Sequence, residues 1–284
     1  MTGITRPRRL RRLVLIWLAL LVGGYVAALA YLWVTQESRI FFPQAMDAVR
    51  ADAVIARTPG ARDVWITAAD GTRLHGWYRP AAPASGRVVL YFGGNAEDVH
   101  WRLGRIDGYA GWDLLAVDYR GYGRSGGEPG QDRLQADALA WYDRLAAGLD
   151  GIVPPRAIAV MGTSLGSFYA THVAAARPVA AVILATPFDS VRDYVQSRLA
   201  LVPVGLLLRH PMDSRSLAPH VGAPSLFIVA AEDRTIPASR ARILFDDWGG
   251  RPRDWILVPG TNHDTVSADP LYWQALGGFL RGIE

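Results

Sequence analysis

Short apolar runs alternate with longer amphipathic stretches over most of this sequence, and this alternation constrains the fold more than any other feature. The runs that predict strands are Arg87–Phe92, Asp113–Val117, Ala157–Met161, Ala180–Leu184, Ser225–Ala230 and Asp254–Val258. The stretches that predict helices lie near Asp98–Tyr109, Gln131–Ala147, Leu165–Ala176, Pro237–Asp247 and Asp269–Arg281. Strands and helices in this order form a mainly parallel sheet with helices on both faces. We therefore predict an α/β fold.

Two segments depart from the alternation. Asp63–Thr67 and Arg73–Tyr78 flank an Asp-Gly pair, which predicts a hairpin ahead of the parallel strands. The interval 187–224 is too long for a single crossover helix and contains the apolar stretch Leu199–Leu208. We predict a cap insertion at about 187–224, near the strand ends where open α/β sheets bind ligands.

The N-terminal segment differs from the rest of the chain. Leu13–Val34 is a run of 22 residues without a charged side chain, and about 20 apolar residues span a bilayer as a helix. Positive residues remain on the cytoplasmic side of such a helix, and five arginines precede the run, namely Arg6, Arg8, Arg9, Arg11 and Arg12. We predict a cytoplasmic basic segment at 1–12, a transmembrane anchor at 13–34 and an extracytoplasmic domain at 40–284.

A cleaved secretory signal is the alternative interpretation of this segment. Ala28-Leu29-Ala30 has the small residues that a cleavage site requires. The apolar run is longer than the roughly 7–15 residues of a signal sequence, and it continues past that site. These two features favour the uncleaved anchor.

The charged residues restrict the classes of function. All 30 basic residues are arginine, and with 26 acidic residues they give a net charge of +4. Beyond the first twelve residues, 25 arginines and 26 acids leave a charge of −1, so we predict no nucleic-acid partner. The chain has no cysteine, and its histidines form no zinc-binding pair, so we predict no metal site. The glycine-rich stretch 121–127 lacks the lysine of a phosphate loop, and we predict no cofactor.

The most specific motif is Gly162-Thr163-Ser164-Leu165-Gly166, which follows a predicted strand and precedes a predicted helix. A serine nucleophile needs this sharp strand-to-helix turn, with small residues two positions before and after it. The backbone N–H of Leu165 would then point toward the oxyanion that forms when Ser164 attacks a carbonyl. The alternative role for Ser164 is that of a helix N-cap.

Residues 60–284 resemble the α/β-hydrolase superfamily, and most of all its membrane-anchored abhydrolase-domain serine hydrolases. The motifs that carry the resemblance are Tyr91-Phe92-Gly93-Gly94-Asn95, Asp118-Tyr119-Arg120-Gly121-Tyr122-Gly123-Arg124-Ser125-Gly126, the serine motif, Ala231-Glu232-Asp233-Arg234-Thr235-Ile236-Pro237 and Gly260-Thr261-Asn262-His263-Asp264. In that fold the acid follows the nucleophile and the histidine comes last.

His263 fits this order, because it lies in a polar loop after the last predicted strand, and we predict that it is the general base. Asp233 is the predicted orienting carboxylate, where the family's motif places its acid. Glu232 and Asp264 are the nearest alternatives, and Asp189 is a more distant one.

The second oxyanion donor is expected in the loop after the strand Arg87–Phe92. The resemblance assigns it to the backbone N–H of Asn95. Gly93 stands where the family has a histidine that braces this loop. The resemblance therefore leaves open what keeps this loop rigid.

These residues together predict a serine hydrolase that cleaves carboxylic esters or thioesters through an acyl-enzyme intermediate. The predicted substrate is a small or lipid-like molecule with an apolar acyl part, because Leu199–Leu208 could form an apolar cap near the membrane. A serine peptidase or amidase is the alternative within the same chemistry. A membrane-anchored binding protein that has kept the fold without catalysis is the alternative outside it.

Overall fold

The computed structural model describes residues 6–283, and within them eight strands form one sheet. The strands are β1 (Arg62–Thr67), β2 (Arg73–Arg79), β3 (Arg87–Phe92), β4 (Asp113–Val117), β5 (Ala157–Thr163), β6 (Ala181–Ala185), β7 (Ser225–Ala230) and β8 (Arg253–Val258). Their order is β1-β2-β4-β3-β5-β6-β7-β8. β2 is antiparallel to β1 and β4, and the other neighbours are parallel. The predicted hairpin and parallel sheet are confirmed.

Helices cover both faces of this sheet. The α-helices of the described residues are α1 (Arg6–Ile40), which extends away from the sheet, α2 (Ala48–Arg57), α3 (Gln131–Ala147), α4 (Leu165–Ala176), α5 (Val191–Arg198), α6 (Val204–Leu207), α7 (Ser214–Leu217), α8 (Ala238–Asp246) and α9 (Pro270–Arg281). The central strand β3 shows how the core is divided: Val88 and Leu90 face the cluster that includes α3 and α4, while Val89 and Tyr91 face the cluster that includes α9. A strand buried on both faces needs a continuous apolar run, which is the pattern that predicted it.

Two elements differ from the sequence-based expectation. Helix α2 was not expected; it is short, buries only Ala51 and Val54, and begins where the side chain of Asp47 accepts a hydrogen bond from Arg50 N at 2.7 Å. The stretch near Asp98–Tyr109 is a 3-10 helix at Val99–Tyr109 with a kink at Arg105, instead of a regular α-helix. Helix α2 has only 10 residues, fewer than the roughly 11–18 over which helical periodicity is recognised in a sequence.

Helix α1 contains the predicted anchor and continues six residues past Val34, to Ile40. It is long and apolar enough to cross a membrane, and none of its most apolar window is buried against the rest of the protein. Of the predicted basic segment 1–12, residues 1–5 lie outside the described residues. The last turns of α1 are polar and contact the segment between β6 and β7, in which α5, α6 and α7 lie.

Candidate active site

Ser164 lies at the carboxyl end of β5, on the turn that leads directly into α4. Its φ of 51° is in the left-handed region, which is uncommon for a residue with a side chain. The two motif glycines make the turn possible. A Cβ at Gly162 would lie 2.1 Å from the carbonyl oxygen of Gly166, and a Cβ at Gly166 would lie 2.0 Å from that of Phe92. The strained turn holds the hydroxyl of Ser164 at the edge of the sheet.

Ser164, His263 and Asp233 form one hydrogen-bonded line. Ser164 Oγ is 2.9 Å from His263 Nε2, and His263 Nδ1 is 2.7 Å from Asp233 Oδ2. Asp233 also accepts hydrogen bonds from the backbone N–H groups of Thr235 (2.9 Å) and Ile236 (2.7 Å) through Oδ1. Its side chain is 1% exposed. The structure thus brings together the three side chains that were predicted as nucleophile, base and orienting acid.

The partners of His263 define its tautomer. An ionised carboxylate only accepts hydrogen bonds, so Nδ1 donates to Asp233 and the neutral ring presents the lone pair of Nε2 to Ser164. The loops that carry the acid and the base are joined by a backbone hydrogen bond from Glu232 N to Thr261 O at 2.8 Å. This bond fixes the two loops relative to each other at the carboxyl ends of β7 and β8.

The other carboxylates that were considered for the acid have different environments. Glu232 and Asp264 are exposed, and Asp264 N donates to Asn262 Oδ1 in a local turn. Asp189 is buried and lies 2.8 Å from Arg240 Nε. Of the four candidates, Asp233 is the one bonded to His263.

Two backbone N–H groups were predicted to bind an oxyanion, those of Leu165 and Asn95. Leu165 is the first residue of α4, so its N–H has no partner inside the helix. Asn95 lines the same cleft as Ser164. Gly94 N, its neighbour, donates to Glu97 Oε2 at 2.6 Å and is therefore occupied. The oxyanion role of Leu165 and Asn95 stays a prediction, and Gly94 N is not free to replace Asn95 in it.

The loop that contains Asn95 is braced by a group that the sequence motifs did not reveal. Glu97 accepts hydrogen bonds from Gly94 N, from Tyr91 Oη (2.7 Å) and from Arg102 Nε (3.1 Å). Arg102 is almost fully buried and also donates to Thr163 Oγ1, next to Ser164. Burial opposes ionisation of Glu97, but the charge of Arg102 and the N–H of Gly94 outweigh it and lower the pKa of Glu97 below its ordinary value.

This brace answers the question raised by Gly93. A Cβ at that position would lie 2.5 Å from Val99 Cγ1, so there is no room for a histidine side chain. The carbonyl of Gly93 instead accepts a hydrogen bond from Tyr119 Oη at 2.8 Å. The loop is held by Glu97 and Tyr119 in place of the family's histidine. The signal available in the sequence was a Glu-Arg pair, Glu97 and Arg102, in the segment directly after the loop.

The side chain of Asn95 joins this loop to the end of α1. Asn95 Nδ2 donates to Ile40 O at 2.7 Å, and Asn95 Oδ1 accepts from Phe42 N at 3.0 Å and from Tyr122 Oη at 2.8 Å. The residue predicted to bind the oxyanion through its backbone is therefore fastened through its side chain to the apolar N-terminal helix.

A cleft of about 450 Å³ opens over Ser164 and His263, between Asn95, Trp101 and Val266. Its lining includes no residue of the insertion 187–224. The expectation that Leu199–Leu208 caps the ligand site is therefore wrong for this cleft, because that stretch packs along α1 instead. Among residues 6–283, no group of three His, Asp or Glu side chains is placed to hold a metal ion.

Comparison with known proteins gives matches over most of the chain. Residues 108–211 match the family model described as serine aminopeptidase, S33. The protein Rv2307c of Mycobacterium tuberculosis is 34% identical over 260 residues, which are 90% of both chains. The alpha/beta hydrolase domain-containing protein WAV2 of Arabidopsis thaliana is 26% identical over 286 residues, which are 91% of both chains.

Among solved structures, the esterase Pf2001 of Pyrococcus furiosus superposes with a TM-score of 0.67 at 18% identity, covering 85% of this chain and 97% of the esterase. At that identity the likeness concerns the fold. The sheet order, the serine turn and the hydrogen-bonded line of Ser164, His263 and Asp233 are thus found on a fold shared with an esterase.

Proposed function

The chain belongs to the α/β-hydrolase superfamily, and we propose that it is a serine hydrolase that cleaves carboxylic esters or thioesters through an acyl-enzyme intermediate. The observation that carries the proposal is the continuous line from Ser164 Oγ through His263 to the buried Asp233. A serine hydroxyl is a weak nucleophile until an adjacent base takes its proton, and this line supplies the base and the group that orients it.

In the first half of the reaction, Ser164 Oγ attacks the carbonyl carbon while His263 Nε2 takes the hydroxyl proton. Asp233 stabilises the imidazolium that results. The N–H groups of Leu165 and Asn95 stabilise the negative oxygen, and one such donor contributes about a hundredfold or more to turnover. His263 then gives its proton to the leaving group. In the second half, His263 activates a water molecule, which releases the acid and restores Ser164.

An apolar acyl part is the substrate feature that the surroundings of the site favour. An apolar groove runs between α1 and the insertion, with Leu32, Trp33 and Leu208 among its lining residues. Ile40 lies at the end of this groove, and its carbonyl accepts the hydrogen bond from Asn95. The groove therefore reaches the loop that borders the cleft of Ser164.

We also propose that α1 is an uncleaved membrane anchor with the catalytic domain on the extracytoplasmic side. The arginines ahead of the apolar run support this orientation. The hydrogen bond from Tyr25 Oη to Leu201 O supports retention, because cleavage after Ala30 would remove Tyr25 from the protein.

A fluorophosphonate probe tests the nucleophile directly. We expect the full-length wild type in detergent to be labelled, and Ser164→Ala to lose labelling completely. For His263→Ala, we expect the rate of labelling and the turnover of p-nitrophenyl esters to fall by several orders of magnitude while the protein stays folded. Ser267→Ala is the matched control, because Ser267 lines the same cleft, and it should be labelled like the wild type. An unlabelled wild type would contradict the proposal and favour a binding protein, whereas labelling of Ser164→Ala would assign the nucleophile to another residue.

The peptidase or amidase remains the second candidate, because the family model that matches residues 108–211 is described as a serine aminopeptidase. A series of p-nitrophenyl esters of increasing chain length, measured beside aminoacyl p-nitroanilides, separates the two reactions. We expect turnover of the esters, with kcat/KM rising as the acyl chain lengthens. Faster turnover of the anilides would replace the esterase by the peptidase.

A further inference from the structure

The insertion contains a second apolar segment that runs beside α1. Residues 199–208 are ten residues without a charged side chain, between Arg198 and Arg209. A membrane-spanning helix needs about 20 apolar residues, whereas runs of 10–14 suit a buried helix or a segment that enters the membrane and returns. The segment is not a buried helix, because Leu201 is 86% exposed and Leu206 is 88% exposed.

Two sets of hydrogen bonds place this segment along the C-terminal half of α1. Tyr25 Oη donates to Leu201 O at 2.5 Å. Nearer the domain, Gln36 Nε2 donates to Leu207 O at 3.1 Å, and Arg209 N donates to Gln36 Oε1 at 2.7 Å. Residues 201–207 therefore extend from the level of Tyr25 to the level of Gln36, which lie about 16 Å apart along a helix axis.

This position implies a depth in the membrane. Tyr25 precedes Val34, the end of the uncharged run, by nine residues, which is about 14 Å of helix. The hydrocarbon core is about 30 Å thick. If α1 spans it, the level of Tyr25 lies well inside the leaflet on the domain's side, and Leu201 lies there with it.

Several backbone polar groups of the segment have hydrogen-bond partners within the protein. Polar backbone groups in hydrocarbon must find partners within the protein. Gln196 Nε2 donates to Leu199 O and to Val202 O, both at 3.1 Å, and Gln196 Oε1 accepts from Val204 N at 3.2 Å. Tyr25 supplies the partner of Leu201 O. One glutamine, together with one tyrosine of α1, thus supplies partners for three carbonyls and one N–H group of this turn.

The charged residues that flank the segment turn away from its tip. The guanidinium of Arg198 lies over the ring of Tyr194, one turn back toward the domain, at 5.3 Å. Arg209 donates to Trp33 O at 3.0 Å and lies 3.2 Å from Glu37. These positions suit the headgroup region, where arginine and tryptophan are accommodated.

We infer that residues 199–208 form a re-entrant segment that enters the lipid leaflet on the domain's side, alongside α1. The inference rests on the proposal that α1 spans the membrane. The protein then contacts the bilayer at two places, and the groove between them opens to lipid acyl chains instead of to water.

The absence of cysteine from the chain permits a direct test, because single cysteines can be introduced and labelled with the environment-sensitive fluorophore NBD. Leu201→Cys and Leu206→Cys report on the segment, and Leu18→Cys reports on α1. Val153→Cys is the matched control, since Val153 is 73% exposed and lies in the segment between α3 and β5. The full-length proteins are reconstituted in 3:1 phosphatidylcholine:phosphatidylglycerol vesicles with or without lipids that carry a nitroxide on the acyl chain.

We expect blue-shifted emission and at least twofold quenching by the nitroxide lipids at positions 18, 201 and 206, and neither effect at 153. Quenching at 18 with water-like emission at 201 and 206 would overturn the re-entrant segment and leave the anchor intact. Water-like emission at position 18 would overturn both. Because none of these readouts depends on turnover, failure of the hydrolase proposal is detected separately by the fluorophosphonate probe.

Discussion

Glu97, whose side chain is 15% exposed, shows how a single largely buried charge can support the candidate site without touching the reacting atoms. Its carboxylate holds Gly94 N, and Arg102 links it to Thr163, the residue before the nucleophile. The loop and the serine turn therefore share one ion pair. Removal of one partner from a buried pair leaves the other charge without compensation, which destabilises the fold more than the pair itself stabilises it.

Glu97→Gln keeps the shape of the side chain and removes its charge. We expect the free energy of unfolding at pH 7 to fall by about 3 kcal/mol, because Arg102 stays buried without a countercharge. The pKa of Glu97 is below its ordinary value of 4.5, so its stabilising effect is present above that value and is lost as the pH falls through the lowered pKa. The difference between variant and wild type should therefore shrink in acid, as measured by urea unfolding in detergent.

Glu128→Gln is the control for this measurement, because Glu128 is exposed and its replacement should change the stability by less than about 0.5 kcal/mol at any pH. A Glu97→Gln variant whose deficit stayed constant from neutral to acid pH would show that the charge of Glu97 does not support the loop.

Between elements, the junction of α1 with the loop after β3 couples the proposed membrane anchor to the candidate site. The side chain of Asn95 binds both Ile40 O and Phe42 N, while its backbone N–H is the proposed oxyanion donor. The position of that donor therefore depends on the end of α1. A donor displaced by even part of an ångström loses much of its effect on the transition state.

Asn95→Ala preserves the backbone N–H and removes the link to α1. We expect kcat for p-nitrophenyl butyrate to fall about tenfold with KM nearly unchanged, because a displaced oxyanion donor affects the transition state more than the bound ester. Gln44→Ala is the control in the same segment, since the side chain of Gln44 donates a long exposed hydrogen bond to Phe42 O at 3.5 Å, and the variant should keep the wild-type kcat. A raised KM at unchanged kcat would instead assign Asn95 to substrate binding.

The elements also show which features of the structure can be predicted from the sequence and which cannot. The strands, the serine turn and the order of Ser164, Asp233 and His263 follow from local patterns: an apolar run, glycines at two fixed positions and a polar loop after a strand. The link between Asn95 and Ile40 and the contact of Tyr25 with Leu201 have no such pattern. The first joins residues that are 55 positions apart in the sequence, and the second joins residues that are 176 positions apart. A hydrogen bond between a side chain and a distant carbonyl places no constraint on the residue type that supplies the carbonyl.

For the whole molecule, the apolar groove beside α1 and the cleft over Ser164 differ in the residues that line them. The cleft over Ser164 is lined in part by charged and polar residues such as Glu97 and Arg102, whereas the groove beside α1 is lined mainly by apolar residues. A water-soluble ester can enter the cleft directly. A lipid ester must leave the bilayer, and a segment that dips into the leaflet lowers the barrier to that transfer by keeping the acyl chain in contact with apolar surface.

Leu206→Asp separates these two routes, because Leu206 is exposed and does not line the cleft. We expect turnover of p-nitrophenyl acetate in solution to remain at the wild-type level. Turnover of a long-chain ester embedded in vesicles should fall at least tenfold, because a carboxylate in the leaflet costs about 2.5 kcal/mol or more. Val153→Asp, with a similarly exposed valine, should leave both rates unchanged. An equal loss on both esters would indicate damage to the fold, and equal retention would show that lipid esters reach Ser164 by a path that does not involve the insertion.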